Sequence, residues 1–375
     1  MRVALEQTTI LFEDPDPAST SHNAALPSLT RCPDGSLLLV HRAGSRKNSA
    51  DGVQYLWRSR DEGLNWSRIP FPFAPAGRLV EHRTAALSFI GGNRICMLLT
   101  WIEHRDAEST ITNPATEGLC PIHLGWSVSR DCGDSWSQLR EIPVSPLSQP
   151  CGNGGILRLD SGRLLAAFET YKHYDDRSPW SARSAYALSD DEGETWVPRI
   201  AAEDPAHRLC YWDHHFHRLS CGTVLAVGWI DDKGRPGESR ISSFISRDQG
   251  ESWTVSRTLE FQGGYSDLMQ ISGGPLALIY VVRGDKPGIR VRLGDPGGEA
   301  WDNSDALVLY SHKPDDVPAT RGPGFGDYLV GMGRWVFGWP SAIALDDRSA
   351  LVSYYAGTGN FASIRLARLA LDRGI

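Results

Sequence analysis

Long apolar runs, sustained helical periodicity and paired cysteines are missing from this sequence, and each absence removes a class of protein. No stretch reaches the ~20 apolar residues that a membrane-crossing helix needs, and the 3.6-residue pattern of a long amphipathic helix does not recur. A helical bundle and a membrane partner are therefore not expected. The seven cysteines (Cys32, Cys96, Cys120, Cys132, Cys151, Cys210 and Cys221) are odd in number, scattered and free of any C-x-x-C pair. That favours a reduced, cytoplasmic chain over a disulfide framework. The opening segment carries Glu6, Glu13, Asp14 and Asp16 and no basic start leading into an apolar run, so no secretory signal is expected. A net charge of −7 and the lack of basic clusters argue against a nucleic-acid partner.

What the chain holds in quantity is turn chemistry, with 38 glycines, 23 prolines and 13 tryptophans. One spaced pattern organises them: Ser-x-Asp-x-Gly-x-x-Trp stands at 59–66, 129–136, 189–196 and 246–253. A decayed copy spans 294–301, with Pro296 where the Asp should be. Each position has a task in a hairpin turn. The carboxylate accepts bonds from turn N–H groups, the Gly adopts a positive φ, and the Trp folds back as an apolar plug between sheets. A second phrase, a polar turn followed by an aliphatic run, recurs at 33–38, 91–95, 160–165, 220–225, 272–276 and 346–351. There is one more hairpin than octets, so the last unit is a strand short, and the β-prone run 3–12 can supply it. The prediction is all-β: a single domain over 1–375, a six-bladed β-propeller of four-stranded antiparallel blades closed by the N-terminal strand.

On these octets the chain resembles the sialidase (neuraminidase) superfamily, whose propellers carry such Asp-box, or BNR, repeats. The resemblance covers nearly the whole length and implies a ligand site where the first strands of the blades enter the central channel. A sialidase-like site uses three arginines to grip a carboxylate, an Asp as acid/base, and a tyrosine nucleophile polarised by a Glu. The family's first arginine lies in an Arg-Ile-Pro motif, where this sequence has Ala25-Leu26-Pro27. Asp51 occupies a position like that of the acid/base, and Asp213 stands where the Glu belongs, one methylene shorter. Trp339 takes the tyrosine's place, while a Tyr-Ser pair occurs one blade earlier, in Tyr265-Ser266-Asp267. Ordinary sialidase activity is therefore not expected.

The reading is an exo-acting glycoside hydrolase for a small, acidic or deoxy sugar conjugate, working with a carboxylate pair. Asp51, Asp213 and His215 are the catalytic candidates. Glu81, His82, Arg83, Asn153, Trp212, His214, Tyr265, Asp267, Arg283 and Trp339 are the candidates for holding the sugar, with Arg105, Lys286 and Arg290 as further cations. Loops beginning at Glu103 and Glu169 can roof the pocket. Strand alternation puts Asp213, His215 and His217 on one face, too spread to chelate without help from another blade. No metal or other cofactor is expected. Two alternatives stay open: a polysaccharide lyase, with His or Tyr taking the proton α to a uronate carboxylate, and a non-catalytic propeller that binds carbohydrate or protein.

Overall fold

The computed structural model describes residues 2–16, 18–107, 110–235, 239–284, 286–302, 304, 306–313, 335–359 and 361–372, and every regular element among them is a β-strand. Strands follow one another as antiparallel meanders. One sheet runs Val80–Phe89, Ile95–Glu103, Ile122–Ser129, Arg140–Glu141; the next sets the short pieces Pro150–Cys151 and Ile156–Arg158 on Leu164–Thr170, then Arg183–Ser189 and Val197–Ala202. Two more follow: Leu209–Arg218 through Arg257–Gln262, and Ser266–Gln270 through Leu307–Ser311. This succession of sheets in chain order is a β-propeller arrangement.

The remaining strands form one eight-stranded sheet, so the hydrogen bonds define five sheets where six separate ones were expected. The reason is a single parallel pair, Asn23 with Ala362, which joins the group beginning at Asn23–Arg31 to the group ending at Phe361–Asp372. The N-terminal strand Arg2–Phe12 lies along the outer side of Phe361–Asp372, from Arg2 opposite Asp372 to Phe12 opposite Ile364.

The octets explain how neighbouring sheets are held. In the first, Asp61 Oδ1 accepts from Ser59 Oγ and Asn65 N at 2.8 Å each, and Trp66 Nε1 donates to Gly63 O at 3.0 Å. Gly193, at φ +86°, lies so close to the preceding sheet that an added Cβ would stand 2.0 Å from the Trp126 ring. The same contact recurs around the molecule, from Gly133 to Leu38 and from Gly298 to Leu225, and it closes with Gly63 against Leu351. In the decayed fifth copy Asp295, one residue before Pro296, takes over the turn and accepts from Gly297 N at 2.9 Å and from Ala300 N.

The apolar core is correspondingly divided into clusters shared by successive groups of strands. One joins Leu98 and Trp126 to Phe168 and Trp196; another joins Phe216, Ala226 and Phe244 to Leu165 and Tyr186. Toward the channel, the first strand of several groups carries a β-bulge, between Ala25 and Ser28, His82 and Thr84, Trp212 and His215, and Gly338 and Ser341. At three of these bulges a non-glycine residue adopts a positive φ: Leu26 (58°), Asp213 (48°) and Trp339 (52°). Backbone strain of this kind costs about 1–3 kcal/mol per residue and persists where the surrounding packing fixes it.

Candidate active site

Three of these bulges, at Arg83, Asp213 and Trp339, turn side chains from separate groups of strands into one pocket, lined also by Lys47, Asn153, Glu169, Tyr171, Tyr265, Arg283, Trp335 and Tyr355 among others. The loops following Glu103 and Glu169 both reach it, through Ile111, Thr112 and Leu119 from the first and Tyr171 from the second.

Two buried carboxyl groups form one unit on its floor. Asn153 Nδ2 donates to Asp213 Oδ1 at 2.6 Å and to Glu169 Oε1 at 3.2 Å, and the Asp213 backbone N–H donates to Glu169 Oε2 at 2.7 Å. Trp229 Nε1 reaches the other Asp213 oxygen at 2.9 Å, and the Tyr171 hydroxyl donates to Glu169. Burial raises the Glu169 pKa well above the usual carboxylate range, and the neighbouring Asp213 charge adds to it. Asp213 is raised by burial too, against the pull of Trp229, His215 and Lys47. Two carboxyls so close cannot both be ionised without cost, which favours a proton shared by the pair.

Cations stand across from this pair. Lys47 Nζ donates to the Tyr355 hydroxyl at 2.9 Å, and Arg83 donates to Lys47 O at 2.6 Å and to Asn48. The Arg283 guanidinium lies 3.5 Å from the Trp335 ring centroid and donates to Phe337 O at 3.0 Å. Burial first, then repulsion from Arg83 and Arg283, drives the Lys47 pKa well below its ordinary value. Arg83 and Arg283 bring positive charge to this side of the pocket, while burial and their repulsion disfavour the charged form of Lys47. Behind it, fully buried Glu81 pairs with Arg42 Nε at 2.7 Å and His104 Nε2 at 2.8 Å and lies 3.6 Å from Arg83, which fixes where that guanidinium points.

On the third side Tyr265 leads away from the pocket lining to His215 and Asp267. The Tyr265 hydroxyl and His215 Nε2 are 2.7 Å apart, and His215 Nδ1 faces Asp267 Oδ1 at 3.4 Å. Asp267 is itself held by the backbone N–H groups of Leu268 and Ala342, both at 2.8 Å. Tyr265 stacks on Trp339 with centroids 4.1 Å apart, so this tyrosine lies against the residue aligned with the family's nucleophile although it comes from the preceding sheet. Burial pushes the Tyr265 phenol well above its ordinary pKa, and the charges of Asp267 and Asp213 push the same way.

Other sequence candidates fall outside the pocket wall. Asp51 is half-buried and accepts from Ser45 N at 3.1 Å; burial raises its pKa, but bonds from Ser49 and Ser45 outweigh that and hold it below the usual carboxylate range. His82 is buried beside Phe71, where desolvation lowers its pKa to about 4. His214 turns into the core, bonded to Ser242 Oγ at 2.8 Å, with burial lowering it to about 3. Trp212 is fully buried in a stack with Trp229, behind the pocket. Arg105 lies over Tyr174, and Arg290 donates to Lys286 O. Sequence reasoning assigned no role to Lys47 and Tyr355 and treated Glu169 and Tyr171 as a roofing loop. Glu169 carried a readable signal, as an acidic residue closing an otherwise apolar strand, Leu164–Thr170.

No family model and no curated protein matches the chain. Solved structures do. A Dyadobacter fermentans protein of unknown function superposes with a TM-score of 0.74 at 18% identity, over 99% of both chains. The Hadza microbial sialidase Hz136 gives 0.65 at 16% identity, over 93% of this chain and 66% of that one. The Penicillium chrysogenum α-L-arabinanase, complexed with arabinobiose, gives 0.67 at 13% identity over 97% and 98%. Likeness at this level of identity speaks for architecture, and by it the chain is a β-propeller of the kind on which sialidases and an arabinanase are built.

Proposed function

We propose that this protein is a glycoside hydrolase that removes an acidic sugar from the end of a conjugate through a tyrosine nucleophile. The observation that carries the reading is the 2.7 Å contact between the Tyr265 hydroxyl and His215 Nε2 in a pocket that Lys47, Arg83 and Arg283 also line. Arg83 and Arg283 take the sugar's carboxylate, with Lys47 beside them. The Tyr265 oxygen attacks the anomeric carbon as its proton passes to His215 Nε2, and Asp267 stabilises the imidazolium. The leaving oxygen receives the proton held by Glu169 and Asp213. Water then cleaves the glycosyl-tyrosine bond, giving net retention. A neutral phenol suits an anionic sugar, because a carboxylate nucleophile would be repelled by it. In this reading the carboxylate pair is Glu169 with Asp213; Asp51, held ionised in its turn, is the poorer proton donor.

A pocket walled by Ile111, Thr112 and Leu119 suits a chain end better than a chain middle. The eight-stranded sheet is best counted as two blades meeting at one parallel pair, which makes a ring of six in a single domain over 1–375. The test is release of aglycone from aryl glycosides of sialic acid, related keto-deoxy acids, uronic acids and neutral sugars. Tyr265→Phe is expected to lower kcat by at least about 10³-fold, and Glu169→Gln by about 10²–10⁴-fold, with the fold intact by circular dichroism. Unchanged turnover in Tyr265→Phe excludes the mechanism.

The same His215–Tyr265 contact favours a second reading, a lyase in which the relay takes the proton α to a uronate carboxylate held by the cations. An unsaturated product absorbing in the ultraviolet separates it from hydrolysis.

A further inference from the structure

We propose that His215, His217 and Asp267 form a binding site for one divalent transition-metal ion of the zinc class. Their ligand atoms lie within 4.8 Å of one another. His215 and His217 alternate onto one face of Leu209–Arg218 with rings 25° from parallel, and Asp267 comes from the first strand of the next sheet, Ser266–Gln270. That neighbour supplies the third ligand that one strand's row of side chains cannot.

The distances distinguish a metal site from a hydrogen-bonded cluster. Asp267 Oδ1 stands 3.4 Å from His215 Nδ1 and 3.4 Å from His217 Nε2. Both are longer than the roughly 2.7–3.2 Å of a good N–H···O bond. They match the edge of a tetrahedron around an ion with bonds of about 2.1 Å, which is about 3.4 Å. His217 Nε2 is buried and makes no hydrogen bond at this separation. The outer contacts suit ligation as well: His215 is oriented through Nε2 by Tyr265, and the Asp267 carboxylate is anchored by Leu268 and Ala342 N–H groups. The His217 side chain is 21% exposed, although Nε2 itself is buried. Two imidazoles and one carboxylate select zinc, cobalt or nickel over calcium or magnesium.

Metal on Nδ1 would place the remaining imidazole proton on Nε2, so His215 would donate to the Tyr265 oxygen and could no longer accept its proton. Metal binding and the proposed relay are therefore competing uses of one histidine. The site itself does not rest on the glycosidase reading, because it is read without substrate.

The experiment is titration of the intact protein with Zn2+ by calorimetry and with Co2+ by visible absorption. A Cys32→Ser background is used, since Cys32, Asp34 and Cys132 also come within reach of one another. The expected result is one equivalent bound, a Co2+ spectrum without a thiolate charge-transfer band, and affinity weakened at least about 10–100-fold in His217→Ala and in His215→Ala. Metal-free melting curves of the variants check that each is folded. No saturable binding, or binding that survives both histidine changes, overturns the assignment.

Discussion

Glu169 shows how a residue's chemistry is set by what packs on it. An exposed glutamate would be ionised at neutral pH; here burial first, and the Asp213 charge next, raise its folded pKa well above 4.5. The native state therefore keeps a proton that the unfolded chain releases. The associated stability is fully present below about pH 4.5 and is lost as pH rises through the raised folded value. Glu169→Gln has no proton to lose, so its melting temperature should gain on that of the wild type as pH goes from 5 to 8. Parallel melting curves for the two proteins across that range would refute the protonated pair. Lys47 is the converse case: burial, and then two guanidinium groups, disfavour its charged form, and an incoming anion would favour it.

At the scale of the element, the octet is both a turn and a joint. Its Ser, Asp and Gly build the turn from local bonds, and its Trp buries an aromatic face worth about 1.5–3 kcal/mol. The glycine is required twice, for its positive φ and because the neighbouring sheet lies against it. Gly193 is the tightest case, so Gly193→Ala combines left-handed strain with overpacking against Trp126 and should cost about 2–4 kcal/mol. Denaturant unfolding measures this, and a loss near zero would mean that the Trp126 ring gives way freely. The fifth copy shows what the pattern tolerates: Asp295 rebuilds the turn from one residue earlier, which a search for fixed spacing reads as decay. The positive-φ bulges left no such trace, because Leu26, Asp213 and Trp339 share a backbone conformation and no side-chain type.

For the whole molecule, the strand Arg2–Phe12 covers the outer side of Phe361–Asp372 along almost its full length. Without it, that strand would present a long unpaired edge. Deletion of residues 2–12 should lower the melting temperature by several degrees and shift the protein toward multimers in size exclusion; an unchanged monomer with an unchanged melt would show the strand to be dispensable. The sequence by itself determined the all-β propeller architecture and the turns, since a hairpin or an octet is specified by residues a few positions apart and repeats make the period visible. It also pointed to Asp213, His215, Tyr265 and Arg83, because strand entrances can be counted from those repeats, and it offered Arg283 among several possible cations. Only the tertiary structure decided which of them meet. Lys47 reaches Tyr355 across 308 residues, Asn153 reaches Asp213 across 60, and Asp51 and His82 turn away from the pocket wall. Such pairings depend on the rotation of each sheet and on bulges that aim single side chains, and both are set by packing between successive sheets.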